Sequence, residues 1–198
     1  MKRTVSVLLV LVSLFACISC DSGNGKGSPD SAETVAKKYV EHLYNAEFQK
    51  TEDYVAIPSD TVLKESAKLY PDDLTYDNGR IEIDGESFES VRDMIKKAEQ
   101  LGESFSLASA KVKSAKAITR EELEKKLDGN KLAETLVNAL DEKALENIVT
   151  VEVDVKTKMM GNDNEGTVNV ILINMSGEWK VLSPTWISWI ILGQDTVK

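Results

Sequence analysis

The residues able to do chemistry in this 198-residue chain are few and scattered. There are two thiols, Cys17 and Cys20, and a single imidazole, His42. A histidine acting as a general base needs an acid to orient it, and one acting as a metal ligand needs companions; neither is grouped with His42 in the sequence. Glu152 and Asp154 alternate with Val149, Val151, Val153 and Val155, which puts the two acids on the wet face of a strand. Asn162, Asp163, Asn164 and Glu165 carry oxygens of the kind calcium prefers, but not at the spacing of a helix-loop-helix calcium loop, and a solvent-exposed turn explains them more cheaply. No Ser–His–Asp set and no glycine-rich phosphate loop is present. The expectation is therefore no catalytic residue, no metal and no cofactor. One further feature is the ending Trp186-Ile187-Ser188-Trp189-Ile190-Ile191-Leu192, which suits either a last covering element or an anchor for a partner protein or apolar ligand through Trp186 and Trp189.

The elements that must position these residues read as helices first and strands last. Ser28 and Pro29 open a helix whose Ala32, Val35, Ala36, Tyr39, Val40 and Leu43 form one apolar stripe, with His42 at its flank. After a break at Asn45, a short helix runs through Phe48, Thr51 and Tyr54, and Ser59-Asp60 caps a third that stops at Pro71. Turn signals at 77–79 and 84–85 flank Ile81 and Ile83 in a minor hairpin, and Ser87 opens a helix to Leu101. Residues 104–118 are extended with a change of phase after Leu107, the mark of a bulge. Thr119 and Glu122 make a capping box, and a further amphipathic helix runs from Leu132 to Leu145. Three antiparallel strands close the domain: 149–156, a hairpin loop at 161–166, 167–175 apolar on both faces, and 178–182 with Trp179 buried. Runs of helices followed by runs of strands make an α+β domain, not a parallel doubly wound sheet.

The amino terminus stands apart from that domain. Lys2 and Arg3 precede an almost wholly apolar Val5 to Phe15, shorter than the ~20 residues that span a bilayer. Ser19-Cys20 gives way at once to Asp21-Ser22-Gly23-Asn24-Gly25-Lys26-Gly27-Ser28, a flexible polar tether. This layout resembles a bacterial lipoprotein signal, and the resemblance implies cleavage before Cys20, a diacylated Cys20 thiol and an acylated new amino terminus, with fatty acids such as palmitate. Cys17 stands where the usual pattern has an aliphatic residue. Cys17 as the anchor, and an ordinary cleaved signal, are the rival readings. The organisation expected is a signal peptide over 1–19, a tether over 20–28 and one domain over 29–198. The net charge of −9 becomes more negative once Lys2 and Arg3 are removed, which argues against nucleic acid and against electrostatic adhesion to anionic lipid. Membrane attachment then comes from acyl chains.

The first helix, the Asn45-Ala46-Glu47-Phe48 break and the closing Gly177-Glu178-Trp179-Lys180-Val181 resemble the small lipoprotein members of the nuclear transport factor 2-like superfamily. The resemblance implies N-terminal helices packed on a strongly curved antiparallel sheet, a cone with a pocket at its wide end. The helices between 119 and 147 are an extra insertion. Such a scaffold serves many functions; with no acid–base set in view, the function expected is a lipid-anchored cell-envelope protein, periplasmic or on the outer surface of a bacterium, whose cone binds a small apolar ligand or an envelope protein without catalysis. The alternatives are an anchored enzyme of isomerase or hydratase type and an accessory subunit of an envelope assembly.

Overall fold

The computed structural model describes residues 30–83, 85–101, 105–159, 162–183 and 187. Cys17, Cys20, Trp186 and Trp189 lie outside the described residues, as do the tether and the Ser28 cap. Helix α1, Ala32–Tyr44, opens on Ser31, whose hydroxyl accepts from the Thr34 N–H at 3.3 Å, with Glu33 in the first turn where the helix dipole favours an acid. Its stripe is the expected one, with Val35, Ala36, Tyr39, Val40 and Leu43 all buried. It ends in a Schellman turn: Ala46, at φ +53°, takes the left-handed position, its N–H donates to Leu43 O, and the Glu47 N–H donates to His42 O.

Helix α2, Phe48–Thr51, runs on into a 3₁₀ turn, Glu52–Tyr54. Helix α3, Ser59–Leu69, is not capped by its own Ser59 or Asp60 as the sequence suggests. Glu52 reaches across instead and accepts both from the Ser59 N–H, at 3.1 Å, and from the buried Ser59 hydroxyl. The expected minor hairpin is a three-stranded antiparallel meander, β1 Leu74–Asp77, β2 Arg80–Ile83 and β3 Glu86–Phe88. Ser87 belongs to β3; helix α4, Val91–Leu101, starts from Ser90, whose Oγ accepts from the Asp93 N–H. The small sheet is pinned on α3 by the Tyr76 hydroxyl, which donates to Asp60; that bond holds the phenol's pKa up at about 12.

The large sheet has the order β4-β5-β6-β7, all antiparallel, with β4 Phe105–Ile118, β5 Ile148–Met159, β6 Asn162–Met175 and β7 Glu178–Val181. Strand β4 has the expected irregularity between Leu107 and Ser109 and a second between Val112 and Ser114. The hairpin loop is shorter than the sequence suggests, because the ladder continues through Met159↔Asn162 and includes the polar run Asn162 to Gly166. Between β4 and β5 lie α5, Arg120–Leu127, with the capping box of Thr119 and Glu122, and α6, Lys131–Asn138. The single helix expected to reach Leu145 is broken: Asp141 has extended backbone, its carboxylate accepts from the Lys143 N–H, and a 3₁₀ turn, Glu142–Leu145, follows.

One face of the large sheet carries Val151, Val153, Val170, Leu172 and Val181, all buried on the side of α1. The other face is covered at one end, where Ile118, Ile148 and Ile173 are buried beside Ala144 and Leu145 of the 3₁₀ turn. This explains why β6 reads as apolar on both faces. The α+β class therefore stands as the sequence indicates, with helices on an antiparallel sheet and an inserted helical pair.

The register makes a sharp contrast on one strand. Leu172 is wholly buried against the helices, while Met175 is 37% exposed. Leu172→Ala should lower stability by about 2–5 kcal/mol and Met175→Ala by under about 1 kcal/mol. Urea denaturation midpoints of the two variants check this, and equal midpoints would sink the facing assigned to β6.

Candidate functional site

A cleft of about 470 Å³ forms where the start of α1, the turn Glu52–Tyr54 and the β6–β7 hairpin meet. The hairpin needs left-handed backbone at both of its central residues, and Ser176 and Gly177 supply it with φ of +56° and +98°. The Asn174 side chain fixes the turn by accepting from the Gly177 N–H at 2.9 Å. The segment after Glu52–Tyr54 lies along β7, where the Ala56 N–H donates to Val181 O at 2.7 Å and the Lys180 ammonium donates to Asp53 O at 2.9 Å. Tyr54 and Trp179 give the cleft aromatic walls, and Asp30, Asp53, Glu178 and Lys180 give it charge.

Trp179 is half-buried and not sealed in the sheet as the alternation suggests. It faces the side of α1 opposite Asn174, but at the sheet edge where α1 begins, so part of the indole lies in the cleft. The charges there are largely spoken for. Asp30 accepts from Lys38 at 2.5 Å, which raises the Lys38 pKa, and Glu178 lies 3.7 Å from Lys180.

Behind Tyr54 stands a pair the sequence did not reveal. His42 Nδ1 is 2.6 Å from Glu47 Oε2, and Lys50 donates to the other oxygen, Oε1, at 2.6 Å. An ionised carboxylate only accepts, so Nδ1 carries a proton in this hydrogen bond. The Schellman turn makes the pair. His42 and Glu47 are the two positions such a turn brings together, and the hydrogen bond takes the place of the usual apolar contact. The imidazole also rests against the Tyr54 ring, with centroids 5.6 Å apart. His42 itself is not among the residues lining the cleft, whereas Tyr54, against which it rests, is.

The other residues singled out by sequence do not converge. Glu152 accepts from the Ser114 hydroxyl at 3.0 Å, and Asp154 from the Thr167 hydroxyl at 2.6 Å, both on the sheet face away from α1. Asp163 and Glu165 stand in the β6 ladder, close to Lys158 and Lys156. Asp163 and Glu165 share one face of the strand and Asn164 takes the other, so the oxygens of this run are divided between two faces. Among the described residues no three His, Cys, Asp or Glu side chains are grouped to hold a metal ion, and no helix is long and apolar enough to cross a membrane.

The Lys50 and His42 hydrogen bonds hold the Glu47 pKa below its ordinary 4.5. A carboxylate lowered in this way stabilises the fold above its unfolded-state pKa, and the contribution is lost as pH falls through the lowered folded value. Glu47→Gln should therefore flatten the acid limb of the stability curve relative to wild type. Thermal melts between about pH 2 and pH 6 test this; parallel curves would show that the pair carries no linkage.

No protein-family model matches the chain, and no curated protein matches it. Among solved structures it is similar to a protein from Campylobacter jejuni described as an NTF2-like transpeptidase, at 14% identity and a TM-score of 0.38, over 77% of this chain and 98% of that one.

Proposed function

We propose that this chain is a lipid-anchored cell-envelope protein whose folded domain, of nuclear transport factor 2-like type, binds a ligand or protein partner without catalysing a reaction. The observation that carries the binding reading is the character of the cleft. Its walls are Tyr54 and Trp179, its charges Asp30 and Glu178 are engaged by Lys38 and Lys180, and the imidazole stands outside it. Such a site sets two aromatic rings among four charged side chains, so it offers ring contact for an apolar group and polar groups for orientation. The scaffold reading is supported by α1 laid across the four antiparallel strands and by the Gly177-Glu178-Trp179-Lys180-Val181 ending. The anchor reading rests on the basic Lys2-Arg3, the apolar run, Cys20 and the polar stretch after it. An acidic chain is a poor partner for nucleic acid, so the partner sought is a small apolar molecule or an envelope protein.

One observation favours a second reading, an anchored enzyme of isomerase or hydratase type: the Glu47-oriented His42 is a Brønsted pair in hydrogen-bonding geometry.

Cys20→Ser should abolish fatty-acid labelling and release the chain from membranes or leave it unprocessed, whereas Cys17→Ser should change little. Labelling that persists in the Cys20 variant and vanishes in the Cys17 variant overturns the assignment. His42→Ala separates the binding reading from the enzymatic one. A general base contributes about 10²–10⁴-fold, so a loss of that size in turnover of any substrate, with the fold intact, would reject the non-catalytic reading; activity within a few-fold of wild type is expected.

A further inference from the structure

Strand β4 is the outer strand of the large sheet and, at 14 residues, far longer than the usual ~5–6. From Lys111 to Ala117 every residue is exposed, on both faces. The strand carries Lys111, Lys113 and Lys116 and no acid, in a chain with 33 acidic and 24 basic residues. Among the described residues one end of this edge is closed: the Asn45 side chain accepts from the Leu107 N–H at 3.2 Å. Among the described residues, the main chain from Ser109 to Ala117 makes hydrogen bonds only within the β4–β5 ladder.

The register sorts the exposed side chains into two rows. Val112, Ala115 and Ala117 stand opposite Val153, Val151 and Val149 on the α1 side, and Val112 is 37% exposed. Lys111 and Lys116 stand opposite Asp154 and Thr150 on the other side. The edge thus offers free main-chain groups flanked by an apolar row and a basic row.

We propose that the β4 edge is a docking site for an extended segment of a partner protein in which acidic and apolar residues alternate, added to the sheet as a fifth strand. Main-chain hydrogen bonds to the edge would supply affinity, and alternation would lay carboxylates on the lysine row and apolar side chains on the Val112, Ala115 and Ala117 row. The lysines select against other occupants. Two copies of this chain meeting edge to edge would set lysine rows against each other, and basic strands are repelled in the same way. The standing ion pairs do not block the exchange, because Lys113–Glu152 at 3.8 Å and Lys116–Glu122 at 3.3 Å are exposed and weak, and Lys111 has no ion-pair partner among the described residues. This site is on the opposite edge of the sheet from the cleft, and the inference stands whether or not the cleft binds anything.

The test uses the full chain and two synthetic octapeptides, one alternating glutamate with valine and one alternating lysine with valine. The glutamate peptide should slow amide hydrogen exchange over 109–117, bind at least ~tenfold more tightly than the lysine peptide, and weaken as salt is raised. Lys111→Glu together with Lys113→Glu and Lys116→Glu should invert the preference. Should that triple variant lose its circular dichroism signature, Lys111→Glu alone, which breaks no ion pair, should still narrow the preference. Absence of exchange protection over 109–117, equal binding of the two peptides, or a preference unchanged by charge reversal would each overturn the proposal.

Discussion

Helix α1 packs across every strand of the large sheet, and the rest of the domain depends on that one contact. Tyr39, Val40 and Leu43 are buried against a face made by Val151, Val153, Val170 and Leu172. Neither element could persist alone: a single helix of 13 residues is marginal in water, and a twisted sheet with one bare apolar face would aggregate. The crossing also fixes where the cleft and the β4 cap fall. The start of α1 meets the β6–β7 turn and closes one wall of the cleft, while its end reaches β4, where Asn45 takes up the Leu107 N–H.

This geometry explains which parts were legible in the sequence. The α1 stripe, the capping box of Thr119 and Glu122, the bulge after Leu107 and the alternation in β5 are each written in a few neighbouring residues, so periodicity alone finds them. The errors share another cause, because each depends on a residue remote in sequence or on a turn of unusual composition. The cap of α3 comes from Glu52, seven positions before Ser59. The polar run Asn162 to Gly166 has every local mark of a loop, yet pairs in register with Val155 to Met159 because the β5 strand continues beside it. Trp179 obeys the alternation, but its position at the sheet edge leaves the indole half in the cleft.

The His42–Glu47 pair was hidden for a subtler reason. Residues five apart do not share a face of a straight helix, so helical spacing gives no hint that they touch. They meet because Ala46 takes a left-handed backbone, a position usually signalled by glycine. Alanine there costs about 1 kcal/mol in local conformation, and burial of its methyl group offers a partial offset. A search for Schellman turns with a polar pair at the two joined positions would have found the site, had the turn carried its usual residue.

The two edges of the large sheet are treated in opposite ways, and the contrast bears on function. At β7 the chain covers its own edge: Val55 bridges to Val181, Ala56 donates to Val181 O, and Lys180 is tied to Asp53. At β4 it uses one side-chain cap, two bulges and three lysines, and no described residue covers the main chain from Ser109 to Ala117. Bulges and lysines prevent promiscuous pairing without removing the hydrogen-bonding groups. An edge that only had to be silenced could have been covered as β7 is. One that keeps its hydrogen-bonding groups and is guarded by bulges and lysines stays open to a strand that brings the complementary charge, and under the readings proposed above the cleft beside β7 and the β4 edge would be two separate contact surfaces on one sheet.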